Sequence, residues 1–184
     1  MKLLLSFILI GIFLISGCNS DSSHKSFEVV GVGDHLGKTL REGGLKKIHE
    51  PPIQEFKEPI VYRFWFAQRH IHRCLTLKQN EQGEMFASYY EWYNRDEVTK
   101  SWKHKVGKDK ASLILYTIAK SDFWNTTESV KFDELITDSR RYDVEGKDGQ
   151  KYKEIYAIMM GTFDCPSICK SLCEEMFALA NEEL

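Results

Sequence analysis

The run from Ile60 to Ala67 constrains the fold more than any other part of the chain. Tyr62, Phe64 and Phe66 alternate there with Val61, Arg63 and Trp65. A period of two puts these sets on opposite faces of a strand, whereas a helix would scatter both around its axis. Cys74 to Lys78 repeats the pattern with Leu75 and Leu77 on the apolar side, Asn80-Glu81-Gln82-Gly83 reads as a turn, and Met85 to Tyr93 reads as an aromatic-rich third strand. Arg95 to Lys110 is basic and polar, so it is expected to be a solvated loop. Asp109 is then placed to cap a helix whose apolar stripe is Ala111, Ile114, Leu115 and Ile118, with Phe123-Trp124 plugging the core behind it. Gly146-Lys147-Asp148-Gly149 signals a hairpin between Arg140–Glu145 and Lys151–Met159. A last helix is expected from near Pro166 to about Ala180. The sum is an α+β domain over residues 60–184: an antiparallel sheet, made of a three-strand meander plus a hairpin, with two packed helices.

The N-terminus obeys different physics. Lys2 is followed by an apolar run from Leu3 to Ile15, broken only by Ser6 and Gly11. That is the length of an export signal and short of the ~20 residues a spanning helix needs. Ile15-Ser16-Gly17-Cys18 closes the run and resembles the lipobox of bacterial lipoproteins. The resemblance implies that residues 1–17 are a signal peptide cut between Gly17 and Cys18, and that the Cys18 thiol carries lipid. Two or more acyl chains, each contributing ~0.8 kcal/mol per buried methylene, make a durable anchor. Asn19 and Ser20 stand where an Asp would be the familiar inner-membrane signal, so the same resemblance points to the outer membrane, facing the periplasm.

Residues 18–59 read as a lipidated, flexible tether: Ser-rich, then Gly-rich, then Pro51-Pro52 and Pro59, with a short strand permitted at Phe27–Val32. Gly31 to Thr39 invites a nucleotide reading that fails on its glycines. Val32 stands where a phosphate-cradling loop needs its first glycine, and Leu36 where a dinucleotide fingerprint needs its third. Charge is nearly balanced, at −2 for the whole chain, and loss of Lys2 makes it one unit more negative. Nothing in that balance recruits nucleic acid.

With Cys18 lipidated, Cys74, Cys165, Cys169 and Cys173 remain, and an oxidising compartment favours two bridges. Cys165 and Cys173 would lie ~12 Å apart along a helix, too far to bond. Cys74–Cys173 with Cys165–Cys169, or Cys74–Cys165 with Cys169–Cys173, stay open, as do buried free thiols. Cys74, however, shares strand parity with Thr76 and Lys78, so bridging it requires the last helix to cover that face. On the same parity His70, His72 and Cys74 form a candidate three-ligand metal set, against which stands the polar, turn-like stretch Gln68–Arg73.

No Gly-x-Ser-x-Gly elbow or His-Glu-x-x-His helix occurs, and Asp143 and Glu145 read as the wet side of a hairpin. Trp92, Tyr93 and Trp102 are candidates for a binding surface beside the basic segment. Tyr62-Arg63-Phe64, Phe123-Trp124, and Tyr142-Asp143-Val144-Glu145-Gly146 before Tyr152 resemble an uncharacterised small bacterial domain over roughly residues 60–180, without the glycine-rich turn expected near 86–92. That likeness implies a fold and no activity. The functional expectation is a lipid-anchored, non-enzymatic protein without a cofactor, binding a protein or envelope component, an immunity or inhibitor protein being one form. The alternative is a metal-binding protein or metal-dependent enzyme built on His70, His72 and Cys74. Cys18→Ala is expected to abolish radiolabelled palmitate incorporation and shift the protein out of the membrane pellet. Unchanged labelling would remove the lipoprotein reading.

Overall fold

The computed structural model describes residues 28–29, 35–94, 97–126, 130–131, 139–159 and 167–181. Cys18, the signal segment, Cys165 and Pro166 lie outside the described residues. The elements in order are β1 (Glu28–Val29), α1 (His35–Ile48), β2 (Ile60–Gln68), β3 (Ile71–Gln79), β4 (Met85–Tyr93), β5 (Val98–Lys105), α2 (Lys108–Lys120), β6 (Val130–Lys131), β7 (Arg140–Asp148), β8 (Lys151–Met159) and α3 (Ile168–Asn181). The strands form one eight-stranded sheet in the order β1-β6-β8-β7-β2-β3-β4-β5. The long strands are antiparallel throughout, and β6 alone runs parallel to its neighbour β8. The domain is α+β.

Period two governs β2 as its sequence requires. Tyr62 and Phe64 enter the main core with Leu75, Leu77, Met85, Ala87, Tyr89, Tyr142, Val144 and Ile155. Both α2 and α3 cover this face, α2 through Ala111, Ile114 and Ile118, α3 through Cys169, Leu172, Cys173, Met176 and Phe177. Phe123 is fully buried against Tyr62 and Trp124, the plug its position foretold.

The other face carries a second, smaller cluster of Ile48, Trp65, Cys74, Tyr90 and Trp92, with Leu45 and Val98 packed against it. The layers are therefore α2 and α3, then the sheet, then α1. This corrects the tether. Its C-terminal part is not a loose spacer, because α1 ends with Leu45 and Ile48 one turn apart on the sheet, and Ile53 in the following 3-10 turn is fully buried. Gly43-Gly44 costs such a helix about 1 kcal/mol per glycine relative to Ala, which is why the segment reads as a loop. Packing needs the glycine: a Cβ at Gly44 would stand 2.9 Å from Trp65 Cζ3. Gly37, Lys38 and Thr39 of the nucleotide-like stretch lie inside α1.

Four further differences concern strands and ends. The basic stretch 95–110 is not a loop, since Val98–Lys105 forms β5, hydrogen-bonded to β4 from Phe86 to Trp92. The meander thus has β5 as an extra strand, and the hairpin joins it through β7 on β2. The turn between β7 and β8 falls at Gly149-Gln150, where Gly149 has φ 58°, and Gly146 lies inside β7. Gly107, not Asp109, is the residue before α2, and it makes no side-chain cap; Asp109 sits in the first turn, where its charge favours the helix dipole.

Gly146 has a packing reason: a Cβ there would meet Phe123 Cε1 at 2.5 Å. Gly146→Ala is expected to destabilise the domain by about 1–3 kcal/mol in urea unfolding. Adding Phe123→Leu should recover part of that loss. Additive losses would show that the two positions do not compete for space.

Candidate functional site

Cross-strand register lines up polar side chains beneath α1. Arg63 pairs with Thr76 of β3 on one side and Glu145 of β7 on the other, and Glu145 pairs with Glu154 of β8. Arg63 has 0% exposure. Its Nε donates to Thr76 Oγ1 at 3.2 Å, and its Nη2 donates to Glu50 Oε2 at 3.2 Å and to the Pro51 carbonyl at 2.9 Å. Thr76 Oγ1 in turn donates to Glu50 Oε2 at 2.7 Å. Nη1 has no hydrogen-bond partner and stands 3.7 Å from Glu145 Oε2. The Phe56 ring lies 5.4 Å from the guanidinium carbon. One cation thus holds two carboxylates, one from the sheet and one from the segment that follows α1.

Glu145 accepts from Trp65 Nε1 at 3.3 Å and lies 3.2 Å from the Tyr152 hydroxyl. That hydroxyl is also 3.1 Å from Glu154 Oε2, yet it carries a single proton. Both contacts are satisfied together when Glu145 is protonated and donates to Tyr152, which donates onward to Glu154. Burial pushes the Glu145 carboxyl above its ordinary value, against the pull of Arg63 and Arg41. Arg41 of α1 bonds Glu154 and reaches Asp143 at 3.8 Å, and Arg141 grips Asp143 through two bonds of 2.8 and 2.6 Å. Asp143 and Glu145 are therefore 2% and 7% exposed rather than the wet side of the hairpin. With Arg63 sealed and Glu145 nearly so, a substrate has no direct access to either. The cluster's chemistry is to bind α1 and the following turn to the sheet.

The candidate metal set does not come together. His70 lies in the β2–β3 turn, where its Nδ1 meets Asn94 Oδ1 at 2.5 Å. His72 stacks on Trp92 at 5.4 Å, and burial, with Lys47 nearby, lowers its basicity. Cys74 is fully buried with its sulfur 3.8 Å from Thr76 Oγ1, and burial drives its thiol far up. Among the described residues no group of three or more His, Cys, Asp or Glu is arranged to hold a metal.

The disulfide pairings fare likewise. Cys74 belongs to the α1 face, while Cys169 and Cys173 of α3 lie in the opposite core, so the sheet separates Cys74 from Cys173. The Cys169 thiol donates to the Tyr142 carbonyl at 3.3 Å, and the Cys173 sulfur lies 3.5 Å from the Trp65 and Asp143 carbonyls. Cys74, Cys169 and Cys173 are buried thiols, and the pairings with Cys165 fall outside the described residues.

The aromatic trio also divides. Trp92 is buried under α1, Tyr93 is exposed at the end of β4, and Trp102 lies on the other face, stacked between Tyr89 at 5.4 Å and His104 at 4.3 Å. Trp102 belongs instead to the open edge of the sheet. Nothing pairs with the outer side of β5 among the described residues, and most of its side chains are exposed, Lys100, Lys103 and Lys105 among them. A cleft of about 710 Å³ lies between α2 and α3, lined in part by the exposed Leu113 and Tyr116. Sequence reasoning missed the partnership of Arg63 with Glu50, because period two shows which face a residue takes and not what covers it. No family model matches the chain, and no curated protein aligns with it.

Glu145 makes stability depend on pH. A carboxyl raised in the folded state stabilises fully below its unfolded value, and that contribution is lost as pH rises through the folded value. Measured from pH 8 down to about 5, wild type should therefore gain urea resistance relative to Glu145→Gln. A difference flat across this range would show that Glu145 stays ionised in the fold.

Proposed function

We propose that the chain is a lipid-anchored, non-enzymatic protein of the cell envelope, held through lipid on Cys18 at the outer membrane, and that its domain binds a protein or envelope component in the periplasm. The anchor rests on the lipobox-like Ile15-Ser16-Gly17-Cys18. One observation carries the binding half: β5 is an exposed edge strand, open on its outer side among the described residues, with the Tyr89–Trp102–His104 stack beside it. The charged groups that would suggest catalysis, Arg63 and Glu145, are instead consumed in holding α1.

Pairing of β1 also shortens the leash. Only residues 18–27 separate the lipidated cysteine from β1, the first element in the sheet, a reach of at most about 36 Å whatever their conformation. Such a domain works close to its membrane.

Cells carrying a photo-crosslinking residue in place of Ser101 on β5, or in place of Leu113 on α2, test the reading. The expected outcome is a defined envelope adduct. Absence of adducts at both positions, together with substrate turnover by the purified protein, would overturn it.

A further inference from the structure

The sheet's two ends are unlike. Beyond β8 the two-residue β6 pairs through Val130 with Ala157, with β1 outside it, whereas β5 ends the sheet at the other side and is unpaired along its whole outer edge among the described residues. The outer row of backbone N–H and C=O groups on such a strand is a template for another chain. β5 offers it over eight residues, the length of an ordinary strand.

Its side chains say what kind of chain fits. Register with β4 puts Lys100, Trp102 and His104 opposite Glu91, Tyr89 and Ala87, on the core face; Ser101, Lys103 and Lys105 stand opposite Tyr90, Ser88 and Phe86, on the α1 face. Lys105 is paired with Glu84 at 2.5 Å. Lys100 and Lys103 instead lie over the rings of Tyr89 and Tyr90, each 5.5 Å away, and no carboxylate among the described residues pairs with either. Cations therefore flank the edge on both faces, in a chain whose net charge is negative. Trp102, half-buried, adds an apolar contact on the core face. A second copy laid edge to edge would set lysines against lysines, and like charges across a strand pair are destabilising.

We infer that the outer edge of β5 receives an acidic, extended segment of a partner protein as an added strand, with carboxylates against Lys100 and Lys103 and an apolar side chain on Trp102. This rests on the binding reading above and gives it a partner class. Backbone bonds supply affinity that tolerates sequence, and the lysines select for charge.

A fluorescent peptide of alternating Val and Glu, eight residues long to match β5, is the probe. The full-length processed protein in detergent is titrated with it by anisotropy, while amide exchange is followed along the chain. Binding is expected to slow exchange in Val98–Lys105, to be absent for a Val-Lys peptide of the same length, and to weaken by tenfold or more in Lys100→Glu/Lys103→Glu, where charge is reversed on an exposed strand. The inference is overturned by no binding at about 1 mM peptide, by protection confined to other elements, by equal competition from inorganic polyphosphate, or by edge-mediated dimers. Crosslinking in cells through position 113 and not 101 would also overturn it, while leaving the binding function standing.

Discussion

Arg63 sits with no exposed surface between Glu50 and Glu145, and the organisation of one whole face of the sheet follows from that placement. A buried guanidinium is tolerable only when its charge is countered and most of its donors are engaged. Glu145 and Thr76 arrive across the ladders from β7 and β3, and the remaining partners, Glu50 and the Pro51 carbonyl, come from the segment after α1. Burying Arg63 therefore requires the pre-domain segment to fold down onto the sheet. Removing the cation would leave two carboxylates sharing an interior site, a change that in comparable buried pairs costs about 3–5 kcal/mol.

The same constraint explains the chemistry of this face. Trp65, Cys74, Tyr90 and Trp92 form a small apolar cluster under the end of α1 with Leu45 and Ile48, and an ionic network lies beside it. Arg41, Asp143, Arg141, Glu154 and Tyr152 extend the network across β7 and β8. Gly44 permits the close approach of α1 by leaving room for Trp65. Burial of the Glu145 carboxyl, which raises it above its ordinary value, links that attachment to pH. On the opposite face α2 and α3 bury the apolar majority of the core, and there the Cys169 and Cys173 sulfurs lie within hydrogen-bonding reach of strand carbonyls.

Dividing the molecule this way separates attachment from recognition. In the proposed function, α1 joins the domain to its anchor by a short reach, and the network beneath it holds the end of the helix to the sheet. β5 lies at the far end of the sheet from β1, so the edge proposed to take a partner is not the edge that β1 and β6 occupy.

Several features were legible in the residues alone. The alternation of Tyr62, Phe64 and Phe66 required a strand with one apolar face, Met85–Tyr93 read directly as β4, and the stripe Ala111, Ile114 and Ile118 marked α2, because each states its own period over enough residues. Phe123 was legible as a plug for a different reason: a large apolar side chain just past a helix has few other places to go. The parity of Cys74 opposite Leu75 and Leu77 likewise followed from the pleat. What the chain could not state about itself was which element would cover each face. α1 carries glycines and a weak apolar stripe, β5 is mostly Lys, Ser and Thr, and Asp143 and Glu145 are charged, so local propensity argues against helix, strand and burial in turn. Tertiary contact decided all three, since an ion pair, a ladder and a covering helix each need a partner far away in sequence, and a period records only the chain's own geometry.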